Sequence, residues 1–108
     1  MPPRLSSSHL LGNLETLAAV GAIDGGGCAR LALTDDDKAG RDLVAGWMRA
    51  LGLAVTIDAI GNVIGLREGR ETGRPVMTGS HIDTVRTGGR YDGNYGVLAG
   101  LEVVRALN

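Results

Sequence analysis

Apolar residues recur along this chain first at helical and then at strand spacing. Leu10, Leu11, Leu14, Leu17 and Ala18 follow the serines at 6, 7 and 8, which predicts a short amphipathic helix capped by one of those hydroxyls. Gly25, Gly26 and Gly27 then permit tight turns, so residues 21–32 read as a loop. The same glycines could cradle a phosphate, but neither a preceding strand nor a following Lys-Ser/Thr supports that use. Thr34 before Asp35, Asp36 and Asp37 predicts a helix start, with a capping hydroxyl and carboxylates where the helix dipole favours negative charge. A cation site is the alternative for this acidic run, although successive helical residues point in different directions. Leu43, Val44, Trp47, Met48 and Leu51 mark the inner face of this helix, and Gly52 suits its left-handed end.

Beyond Gly52 the period shortens. Leu53, Val55 and Ile57 alternate with smaller or polar residues, and Val63 to Leu66 follows Gly61-Asn62, which predicts two strands joined by a tight turn. Polar residues 67–74 read as a surface loop. Pro75 then leads into Val76 to His81, a predicted apolar strand, and residues 84–93 form a glycine-rich loop. Val97, Leu98, Leu101, Val104 and Leu107 mark a last helix, after which Asn108 has no evident capping role. This order predicts an α/β fold class, with helices packed on a mixed sheet. Ligands of such sheets bind beyond the carboxyl ends of strands, which places chemistry just after Ser80.

Composition narrows the picture. The 108 residues allow one small core, and with 44% hydrophobic residues but no Phe it must be built from Leu, Val, Ile and Ala. A net charge of −1 with scattered basic residues gives no reason for a nucleic-acid or anionic-membrane partner. Cys28 stands alone, so no intrachain disulfide forms, and no apolar run is long enough for a membrane span. A soluble, cytoplasmic protein is expected. His9 is expected before the first helix, at the surface.

His81 and Asp83 are two residues apart, so strand geometry would send both to one side. Imidazole is a common metal ligand, and a ligating His usually donates its other ring N–H to a carboxylate, the role open to Asp83. Asp92 lies beyond Gly88-Gly89 and before Gly93, so the backbone can fold tightly enough to return a third polar group. The bland alternative is a polar strand end, a capping Asp and an Asp-Gly turn.

The run Gly79-Ser80-His81-Ile82-Asp83-Thr84-Val85, then Gly88-Gly89-Arg90-Tyr91-Asp92-Gly93 and Gly96 to Glu102, closely resembles the N-carbamoyl-L-amino-acid hydrolase and allantoate amidohydrolase family. That family is a branch of the two-metal aminoacylases and aminopeptidases. Residues 30–34, Arg41, Trp47-Met48, Gly52-Leu53 and residues 58–62 are similar too, so the resemblance covers nearly the whole chain. It implies that His81 ligates one of two divalent metal ions (zinc, manganese, cobalt or nickel) and that Asp92 bridges both. Asp83, the carboxylate behind His81, is the implied catalytic-site residue, and a cis peptide is implied after Asp92.

The activity implied is hydrolysis of the C–N bond of an N-carbamoyl-L-amino acid or related ureido compound, with allantoate hydrolysis or metallo-aminopeptidase chemistry as alternative branches. Two cations would activate water and polarise the carbonyl while a Glu moves the proton. Residues 1–108 would be the N-terminal portion of the catalytic domain. The family's adjacent Glu pair, two later His ligands and a smaller dimerisation domain have no counterpart here. The chain alone is therefore expected to be inactive, part of a homodimeric parent, with a non-catalytic remnant or folding module as the other reading.

Overall fold

The computed structural model describes residues 2–108, which form helix α1 (Ser7–Ala18), helix α2 (Asp35–Ala50), strands β1 (Ala54–Ile57) and β2 (Val63–Leu66), and helix α3 (Asn94–Leu107). Ser6 is the residue that caps α1: its hydroxyl accepts from the His9 amide at 3.1 Å. His9 thus lies inside the helix rather than before it, because capping by the first serine moves the start back. Thr34 caps α2 by accepting from the Asp37 amide at 3.3 Å, and the buried Asp37 carboxylate accepts from the Leu33 amide at 3.0 Å. The two bonds satisfy amides at a helix start and its entry, so Asp37 acts as part of the cap.

Helix α2 ends as the sequence predicts. Gly52 adopts φ +84°, and the Leu53 amide returns to the Met48 carbonyl at 3.0 Å. The strands pair antiparallel, with Ala54 opposite Leu66 and Ile57 opposite Val63. Their turn is organised by Asp58, whose carboxylate accepts from the Ile60 and Asn62 amides and from the Asn62 side chain at 2.8 Å. That side-chain donor, followed by the backbone ones, holds the Asp58 carboxyl below the ordinary carboxylate range.

Leu14, Leu17, Val44, Leu53, Leu98 and Leu101 form the core, with Trp47 and Met48 half-buried at its margin. Helices α1 and α3 pack on each other, and α2 lies against the hairpin. Full burial is worth roughly 1.5–3 kcal/mol for each large aliphatic side chain, so this aliphatic centre dominates cohesion. Gly65 lets the hairpin approach, since a Cβ there would sit 2.9 Å from Leu53 Cδ1. Asn108 has a clear role after all: its Nδ2 donates to the Leu51 carbonyl at 2.8 Å, while its Oδ1 accepts from Arg67 Nε at 3.0 Å.

The predicted strand Val76–His81 does not form. Residues 75–83 carry no strand pairing, and Val76 and Met77 are essentially bare. Apolar character encodes the tendency to pair, but a strand exists only when a neighbour supplies hydrogen bonds. Among the described residues the sheet is therefore the single antiparallel hairpin rather than a mixed sheet. Leu33 is also unusual: it holds φ +68° and is 99% exposed. No helix among the described residues is long and apolar enough to cross a membrane.

Candidate metal-binding site

The candidate site is held by two loop segments that the buried interior ties together. Cys28 and Gly88 exchange backbone hydrogen bonds of 2.9 and 3.0 Å, which anchors the glycine-rich loop before Asp92 to the loop after α1. The Gly25–Gly27 run serves this approach: a Cβ on Gly27 would lie 2.7 Å from the Gly88 carbonyl oxygen. Thr84 fastens the other segment. Its amide donates to the Arg30 carbonyl at 2.7 Å, and its hydroxyl accepts from the Arg30 amide at 2.7 Å.

Between those anchors, His81 and Asp83 come together although no strand aligns them. His81 Nδ1 lies 2.9 Å from the Asp83 carbonyl oxygen and 3.2 Å from its Oδ1. Both neighbours are acceptors, so in the neutral ring Nδ1 carries the hydrogen and Nε2 presents its lone pair. The pair is about half exposed, at 52% and 47%, and lines an open cleft of about 350 Å³ with Asp37, Arg41, Ile60 and Val97.

Asp92 is exposed and is not part of that cleft wall. Its neighbour Gly93 is in direct contact with His81: a Cβ there would fall 2.5 Å from Cε1 and 2.6 Å from Nδ1, and would overlap the His81 carbonyl oxygen. Gly93 adopts φ +74°, ψ −49° just before α3. The peptide after Asp92 is trans, contrary to the cis geometry that the resemblance implies. The positive φ, open to glycine without penalty, makes the sharp turn instead.

An imidazole nitrogen with a carboxylate oxygen is a donor set suited to zinc or manganese. Among the described residues, however, no group of three His, Cys, Asp or Glu side chains converges, so His81, Asp83 and Asp92 do not close around one point. Asp35, Asp36 and Asp37 form no such group either. His9, expected at the surface, is 48% exposed but is tied to the buried Glu102 at 2.9 Å, far from the cleft in sequence and bonding.

Two polar residues of this region are not singled out as site residues by the sequence, although Arg30 lies in the run 30–34 that carries part of the resemblance. Arg30 and Asn94 are completely buried and joined by a 2.9 Å hydrogen bond from Nη2 to Oδ1. The available clue is Gly40, inside α2, where a Cβ would lie 2.8 Å from Arg30 Cδ. A glycine in a helix interior with no local purpose points to a close packing partner.

The hairpin, three helices and loop-borne His-x-Asp define a class: their arrangement matches a segment, about a quarter in length, of hydantoinase/carbamoylase family amidases. A solved structure of such an amidase from Burkholderia ambifaria superposes with a TM-score of 0.96 at 50% identity, covering 100% of this chain and 27% of that one. The N-carbamoyl-L-amino-acid amidohydrolase of Pseudomonas sp. (strain NS671) is 47% identical over 105 residues, 96% of this chain and 25% of that protein. The Geobacillus stearothermophilus enzyme of that name is 44% identical, over 96% of this chain and 26% of that protein. No protein-family model matches. In sequence and fold the chain is similar to a segment of N-carbamoyl-L-amino-acid amidohydrolases, and it spans about a quarter of the length of the relatives it matches.

Proposed function

We propose that this chain contributes half of a two-metal site to a longer amidohydrolase that cleaves the C–N bond of N-carbamoyl-L-amino acids or closely related ureido compounds. The observation that carries the reading is the His81–Asp83 pair, with Nδ1 engaged and Nε2 free, set against the Gly93 backbone in a chain so similar to carbamoylases. His81, through Nε2, and Asp92, beside Gly93, would each supply a ligand for a divalent cation. Asp83 holds the imidazole in the tautomer that ligation needs. When bound, the cations supply Lewis acidity at the ureido carbonyl and an activated water.

The chain by itself lacks the remaining ligands and a proton-transferring Glu, so it is inactive alone in this reading. The longer protein would be a cytoplasmic homodimer acting on a small molecule. A polypeptide of the relatives' length, assayed with N-carbamoyl amino acids, allantoate and dipeptides before and after chelation, tests this. Metal-dependent turnover of N-carbamoyl substrates is expected. Cleavage of dipeptides alone would overturn the assignment. A non-catalytic module is favoured if that longer polypeptide hydrolyses none of them with either zinc or manganese restored.

A further inference from the structure

Arg30 reaches both halves of the site. Its Nε donates to the Ile82 carbonyl at 2.9 Å, between His81 and Asp83. Its Nη2 donates to Asn94 Oδ1 at 2.9 Å, two residues past Asp92, and Asn94 in turn donates to the Arg90 carbonyl at 3.0 Å. Nη1 takes the Leu17 and Val20 carbonyls at 3.0 and 2.6 Å, at the end of α1, and touches Cys28 Sγ at 3.3 Å. The guanidinium is fully buried, and no carboxylate pairs with it among the described residues.

An unpaired cation is expensive to take out of water, and a well-packed apolar side chain is often at least as stabilising in such a place. What a guanidinium adds is a rigid plane of donors, which can hold several acceptors at fixed separations as an ammonium cannot. Those acceptors here are the end of α1, the carbonyl between the site's His and Asp, and the first residue of α3. Gly40 leaves room for the Arg30 side chain, since a Cβ there would lie 2.8 Å from Cδ and 3.1 Å from Nε, with Ile82 Cδ1 next at 3.3 Å.

We propose that Arg30, acting through Ile82 and Asn94, is a positioning residue that sets the separation between His81 and Asp92. The proposal rests on the reading of those two as metal ligands. It makes Arg30 part of the site's geometry without contact with metal or substrate.

The test uses the 108-residue chain, with manganese alone as probe. Sub-stoichiometric Mn²⁺ should broaden the NMR signals of His81 and Asp92 together in the native chain, and long-range nitrogen correlations should show His81 protonated at Nδ1. In Asn94→Ala and in Arg30→Lys the joint broadening should need about tenfold more Mn²⁺, the loss expected when a ligand's support is removed. Asn94→Asp, which keeps an acceptor for Nη2 but loses the donor to the Arg90 carbonyl, should restore it in part, and Leu14→Ala, a core change away from the site, should leave it unaltered. Native-like joint broadening in folded Asn94→Ala overturns the proposal, as does an equal loss in Leu14→Ala. Unfolding of both Asn94→Ala and Arg30→Lys overturns it too, by making Arg30 a residue of the fold alone. If the native chain shows no broadening at His81, the ligand reading itself fails, a result distinct from every variant outcome.

Discussion

His9 and Glu102, 93 positions apart, meet at 2.9 Å between Nδ1 and Oε2 and join the first helix to the last. The Glu102 carboxylate is only 4% exposed and also accepts from Arg105 Nε at 2.8 Å and from the Ser6 amide. Arg105 first, then the Ser6 amide and His9, hold its carboxyl down at about 2, against an ordinary 4.5, while burial pushes the other way. A carboxyl lowered on folding stabilises the native chain above its unfolded value. That contribution should fade as pH falls from about 4.5 toward 2. Urea midpoints measured across this window should drop steeply, and Glu102→Gln should flatten the drop while lowering stability at neutral pH. An unchanged acid slope in the variant would remove Glu102 as its cause.

Gly93 is the least replaceable residue near the site. Its φ of +74° alone makes Gly93→Ala unfavourable by roughly 1–2 kcal/mol. The added methyl would also meet the His81 ring and carbonyl. Thermal unfolding should show a loss larger than the backbone figure, accompanied by shifted His81 ring signals. A loss confined to the backbone figure, with the ring signals in place, would mean that the ring yields freely.

Asp83→Asn, introduced into a polypeptide of the relatives' length, should weaken metal affinity about 10- to 100-fold with little change in folding. Inductively coupled plasma analysis after graded dialysis reads this directly. Equal metal retention would leave the Asp83 carboxylate without an orienting role, the ring being held by the Asp83 main-chain carbonyl at 2.9 Å.

Thr34→Ala should destabilise the chain by about 1 kcal/mol, because the Asp37 amide loses its acceptor and the Asp37 carboxylate loses its counterpart in the cap. Chemical denaturation is sufficient to see it. Thr34→Ser should recover most of the loss.

The stretch after Pro75 presents bare Val76 and Met77 and no strand pairing, a template for association with another chain. Light scattering should rise with concentration for the native chain and fall in Val76→Lys/Met77→Lys. Concentration-independent monomers would contradict it.

Local signals in the sequence were enough wherever a neighbouring residue decides the outcome. Thr34 and the acidic turn fix the start of α2, Gly52 its end, and Gly61-Asn62 with Asp58 the hairpin. Residues whose partners are distant could not be read that way. Which serine caps α1 depends on His9 reaching Glu102 and Ser6 lying beside it. Apolar character at Val76 to His81 signals a tendency to pair, but no neighbouring strand among the described residues supplies the hydrogen bonds. His81 and Asp83 were legible as a pair because a two-residue spacing brings them close in extended backbone, paired or not. Asp92 was legible as a candidate, but its peptide geometry was not, since a turn can be made by a positive φ at Gly93 as well as by a cis bond. The role of Arg30 is not legible because, Cys28 Sγ apart, the acceptors on its guanidinium lie 10 to 64 residues away.

Leu33 carries a last consequence. A leucine in the left-handed region stands roughly 1–2 kcal/mol above its relaxed state, and this one offers its whole side chain to water. Leu33→Gly should therefore make the solitary chain sturdier. Any surface that closes over the cleft would reverse that sign by giving the isobutyl group something to rest on, which turns one substitution into a reporter of whether the cleft is roofed.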